Sequence, residues 1–197
     1  MKASCRLLLT ATMKIDKTRK LYTDLLIGRR NLMTNNLINI KYGLALVMLG
    51  LLFGIGLGVT FGVNEVLFEE YVAQGIAAHP EVHDAKSQDK IWRYAQRAHF
   101  HATGIAAFSI GLLLLVSASS LKKRFKKIAA VFIGLGGFYP LSWLSMFLLA
   151  PSIGRDAAHS HPITELFAYI GVGGLLLGLA ILLANFFLGL FSEPNDT

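Results

Sequence analysis

The chain has 197 residues, of which 54% are hydrophobic and 16% charged, with a net charge of +7. That leaves too little polar side chain to cover a water-soluble globule, so lipid must solvate part of the molecule. The positive charge forms no basic stripe with interleaved aromatics, which excludes a soluble nucleic-acid-binding module, and a lone cysteine, Cys5, excludes an intrachain disulfide and a quinone-coupled thiol oxidase.

Residues 1–41 are basic and polar, and their composition predicts a disordered cytoplasmic arm. Its apolar patch, Leu7 to Leu9, is too short for a secretory signal, and the stretch after Arg29-Arg30 is long enough to stay in the membrane rather than be cleaved. Met13 and Met33 are alternative starts. An organellar transit peptide is a competing reading, against which Asp16 and Asp24 count.

Four uncharged apolar stretches follow, 42–63, 102–121, 128–150 and 166–191, each about the 20 residues that cross a hydrocarbon core as a helix. Backbone groups in lipid must be paired within each segment, and unalternating runs of this length are helical. The expected fold is an all-α membrane protein, a four-transmembrane-helix bundle over 42–191 with connections at 64–101, 122–127 and 151–165 and a tail at 192–197. Fourteen of the nineteen Lys and Arg residues precede the first span or lie between the second and third. Such residues resist translocation, which places both termini in the cytoplasm and all six histidines outside. A bacterial cytoplasmic (inner) membrane is the expected location, with the lipid bilayer as the first partner.

In the first span, Gly50, Gly54, Gly58 and Gly62 recur every fourth residue, a small-residue face for close helix packing. Gly104, Ala107 and Gly111 in the second span and Gly171, Gly174 and Gly178 in the fourth read the same way. The connection 64–101 predicts an amphipathic helix on the membrane surface at 66–78, a break at Pro80 and an outward extension of the second helix from Lys90 to His99. His79 and His83 read as solvated loop residues. Pro140 should bend the third helix, with Ser142 available to the freed carbonyl. Trp92, Tyr94 and Trp143 suit the membrane interface, and Arg155 and Asp156 read as a loop ion pair or as headgroup contacts.

The spans hold no charged residue and no histidine, and Asn185 is their one amide. A haem chain across the bilayer therefore has no axial ligands, and proton-coupled transport has no buried ionisable relay. Polar chemistry belongs at the outer face, where Ala98-His99-Phe100-His101 recurs sixty residues later as Ala158-His159-Ser160-His161. The offset continues through Ile110-Gly111 and Ile170-Gly171, which predicts two helix hairpins in parallel repeat. Imidazoles from facing helices can share a metal or a haem iron. Residues two apart on a helix diverge, so His101, on the face of Gly104, is preferred over His99. Pro162 favours extended backbone at His161, where His159 and His161 share a side. Glu165 and Glu65 are the carboxylates placed to fix an imidazole tautomer.

The reading is a multi-pass protein with a histidine-rich outer face expected to hold haem b or a transition metal through His99, His101, His159 and His161, in a redox role. The alternatives are a non-catalytic membrane subunit or assembly factor without a cofactor, in a homo-oligomer or with other subunits, and a small-solute transporter. Hydrolase chemistry has no Ser/His/Asp set, zinc-protease motif or phosphate-binding loop to support it.

Overall fold

The computed structural model describes residues 2–193, with side chains continuously from Leu37 onward. The tail expected at 192–197 is therefore described only as far as Glu193. Two units make up the chain, Met1–Ile38 and Asn39–Thr197. The first has helical backbone from Lys2, where composition alone suggests an arm without structure. It contains no proline and a single glycine, Gly28, so nothing in it interrupts an α-helix.

The six α-helices are α1 (Lys2–Ala78), α2 (Ser87–Ala118), α3 (Lys123–Leu135), α4 (Tyr139–Ile153), α5 (Arg155–His159) and α6 (Pro162–Leu188). Among the described residues, four helical stretches are long and apolar enough to cross a membrane: Leu37–Ala78, Ser87–Ala118, Lys123–Ile153 and Pro162–Leu188. The chain is thus a four-helix, multi-pass membrane protein. The third stretch joins α3 to α4 through a 3₁₀ turn at Gly136–Phe138. Pro140 leaves the Gly136 carbonyl without its usual donor, and the Tyr139 N–H takes it. Ser142, the donor expected there, instead bonds the Tyr139 carbonyl at 2.7 Å.

Helix packing in lipid relies on close approach, since burial of apolar surface gains little there. Gly174 and Gly178 of α6 lie against α3, where a methyl at Gly178 would stand 2.9 Å from both the Ala129 carbonyl oxygen and the Ile133 nitrogen. Gly171 meets the Tyr139 backbone. The stripe in α1 is less uniform than its spacing predicts. A methyl at Gly54 would stand 2.9 Å from Ala102 and Thr103 of α2, and one at Gly50 would lie 3.7 Å from Gly137, whereas Gly62 faces open space. Gly43, outside the stripe, lies against Ala130. On α2 the expected face is also displaced: Gly104 and Gly111 are open, and the buried alanines are Ala95, Ala98, Ala102 and Ala106.

The end bearing Lys122 to Lys127 is closed by main-chain bonds. The Lys122 N–H donates to the Phe191 carbonyl and the Glu193 N–H to the Ser120 carbonyl, both at 2.9 Å. Asn185 Nδ2 donates to the Leu190 carbonyl and its Oδ1 accepts from Ser120, so this amide fastens the end of α6 to the α2–α3 connection. Lys126 Nζ bonds the Ser117 carbonyl at 2.8 Å, satisfying an orphan acceptor at the α2 C-terminus.

The opposite end carries an aromatic core. Kinked at Asn64, α1 continues to Ala78. This segment packs on α2 and α4, because Phe68, Val72 and Ile76 turn towards Phe61, Trp92 and Phe147. The Tyr71 hydroxyl bonds the Leu148 carbonyl at 2.7 Å, and Gly75 meets Pro151. The loop that follows is docked as well. His83 is half-buried, its Nε2 3.0 Å from the Pro151 carbonyl, and is not a solvated loop residue. Val82 abuts Gly154, whose positive φ of 81° suits a residue without a side chain.

Candidate functional site

The histidines expected to form one ligand set are distributed by local backbone geometry. Helix α2 runs unbroken through residues 98–101, so His99 and His101 face different neighbours. His99, the less favoured of the pair by sequence, lies against Gly58 of α1, and its Nδ1 is 2.8 Å from the Gly54 carbonyl. The absence of a side chain at Gly58 makes room for the ring, and Gly54, one turn earlier, supplies the carbonyl. His101 turns instead to α4, where its ring stacks on Trp143 (centroids 5.6 Å apart, 25° between planes) and meets the edge of Tyr139 at 5.2 Å. Its Nδ1 is 2.8 Å from the Arg97 carbonyl, one turn back.

The second motif has a different backbone. Helix α5 ends at His159, which is exposed, and α6 begins at Pro162. His161 is the N-cap of α6, extended as Pro162 requires (φ −67°, ψ 135°), and its Nδ1 accepts from the Ile163 N–H. Ala98 and Ala158 are fully buried alike, but the histidines after them have different partners. Glu165 is exposed in the first turn of α6, and Glu65 is exposed just beyond the α1 kink. Among the described residues, no three His, Cys, Asp or Glu side chains come together as a metal site. The four-histidine ligand set expected from the repeat is thus not assembled, because helix separates one pair and a cap engages a ring nitrogen of the other.

The tautomers follow from chemistry. A carbonyl oxygen only accepts, so Nδ1 of both His99 and His101 must carry a proton, and in the neutral ring the lone pair lies on Nε2. His161 is the reverse, its Nδ1 being the acceptor.

Around His101 the α2–α4 seam is aromatic and cationic. Tyr94 lies 5.8 Å from Trp143, and the Arg97 guanidinium stands over the Trp143 ring at 4.8 Å. The Trp143 indole nitrogen, a donor only, is buried without an acceptor. Above the seam, Lys90, Arg93, Tyr94 and Arg97 of α2 and Arg155 of α5 line a cleft of about 260 Å³. Arg155 is fixed by a 3.0 Å ion pair with Asp84, which Lys90 approaches at 3.8 Å, and not by the adjacent Asp156. Asp84 in turn accepts from the Ser87 hydroxyl and the Lys86 N–H. The Ser87 bond foremost, then the Lys86 bond and the charges of Arg155 and Lys90, hold the Asp84 carboxyl below its usual value.

Compared with protein-family models, curated proteins and solved structures, the chain shows no match.

Proposed function

We propose that this multi-pass protein holds a b-type haem at the outer end of its bundle, with His101 as the axial ligand, and serves a redox role there. What carries the reading is the His101 imidazole: its Nδ1–H is engaged by the Arg97 carbonyl and its plane is set by Trp143, which leaves Nε2 with the lone pair that iron would take. His99 has the same tautomer through Gly54 and is the alternative ligand. A transition-metal ion is the lesser form of the proposal, since one imidazole suits haem iron better than a bare ion.

The orientation belongs to the same reading. Lysine and arginine concentrate before the first span and at 122–127, which supports a reading with the termini in the cytoplasm and the histidines outside; a bacterial inner membrane is the location that goes with this proposal. The haem content of full-length protein purified from iron-replete cells, before and after His101→Ala, tests the proposal.

One observation favours a second reading, a non-catalytic membrane subunit. Gly104 and Gly111 have open space before them and Ala107 is exposed, so this face of α2 would admit a further helix at close range. Co-purification without crosslinking of a stoichiometric membrane partner, or of a second copy, tests it.

A further inference from the structure

We propose that the cleft formed by Lys90, Arg93, Arg97 and Arg155 is a binding site for a phosphate group at the membrane interface. The inference rests on the cleft alone and not on the haem reading.

Five Lys and Arg residues lie outside the two lysine- and arginine-rich inner segments, and four of them line this one cleft. Like charges gathered into a concavity repel one another and raise the local potential for an anion. Three of them, Lys90, Arg93 and Arg97, are spaced at i, i+3 and i+7 on α2 and so share a face. The fourth arrives from α5, held in place by Asp84. Among the described residues, Asp84 is the carboxylate that reaches the cleft, pairing with Arg155 and Lys90 and leaving Arg93 and Arg97 without an acidic partner. Guanidinium groups present paired donors matched to phosphate oxygens, and the Tyr94 lining suits the interface between polar heads and apolar tails. Phosphate is therefore the fitting chemistry, whether carried by an anionic phospholipid headgroup or free in solution.

The test uses full-length protein in a non-ionic detergent. Lipid retained through repeated size-exclusion steps is identified by mass spectrometry, and inorganic phosphate is titrated against thermal unfolding of the stripped protein. Retention of anionic over zwitterionic phospholipid assigns the site to a headgroup. A saturable upward shift of the midpoint with inorganic phosphate, without lipid retention, assigns it to a soluble phosphate. In either case Arg93→Gln should weaken binding ~10-fold, as loss of one charged hydrogen bond implies, Arg93→Lys should restore part of it, and Lys86→Gln, outside the cleft, should leave it unchanged. Neither lipid retention nor a phosphate shift in the wild-type protein overturns the proposal. So does binding that Arg93→Gln leaves intact, or loss of haem instead of phosphate in that variant, which would assign the cations to a carboxylate.

Discussion

The His99 imidazole lies against Gly58 of α1 and donates from Nδ1 to the Gly54 carbonyl at 2.8 Å, so one side chain joins the first helix to the second at the point where the small-residue stripe opens. A Cβ at Gly58 would stand 2.9 Å from His99 Nδ1. Gly58→Ala should lower stability in detergent by ~1–3 kcal/mol, the range for overpacking. With His99→Ala already present the second change should cost much less, a coupling of at least ~0.5 kcal/mol in a double-mutant cycle. Additive effects would show that the ring does not occupy that groove.

A second packing test compares glycines that look alike in sequence. Gly178→Ala drives a methyl into the backbone of α3 and should destabilise by ~1–3 kcal/mol, whereas Gly62→Ala faces open space and should change thermal unfolding by less than ~0.5 kcal/mol. Equal effects would contradict the packing described.

Asp84 makes the docking of the long loop depend on pH. Its carboxyl titrates below the usual carboxylate range because Ser87, Lys86, Arg155 and Lys90 favour the charged form. The stabilisation is therefore fully present above the ordinary aspartate value and is lost as pH falls through the lowered one. Protection factors of the amides over residues 80–90, which remove the intrinsic slowing of exchange in acid, should fall below that point, and Asp84→Asn should show low protection already at neutral pH with no further fall in acid. A pH-independent loop in the wild-type protein would count against the ion pair.

Topology is open to direct labelling. With the lone Cys5 changed to serine, Ser160→Cys should react with a membrane-impermeant maleimide applied to intact cells, and Lys127→Cys should react only after permeabilisation. The reverse pattern would place the histidines in the cytoplasm.

The four spans could be read from the sequence because membrane solvation writes itself into long uncharged runs: 42–63 and 128–150 fall within helical stretches of the structure, whereas 166–191 overruns α6, which ends at Leu188. The facing of each helix could not. Gly104 and Gly111 share the seven-residue spacing of Gly171 and Gly178, yet the first pair faces open space while Gly171 meets Tyr139 and Gly178 meets α3, because spacing defines a face without naming its neighbour. The same limit governed the site. The two Ala-His-x-His motifs differ only at their third position, Phe100 against Ser160, but α2 continues through one and α6 begins after the other, a difference signalled by Pro162. The cationic cleft is not legible in the sequence because Arg155 joins Lys90, Arg93 and Arg97 through Asp84, a contact between distant parts of the chain.

The central claim is a haem held by His101, and the absorption spectrum of the purified full-length protein tests it most directly. In protein from iron-replete cells, a Soret band that sharpens on reduction is expected, lost in His101→Ala and retained in His159→Ala. A colourless preparation, or a band that survives His101→Ala unchanged, would contradict it.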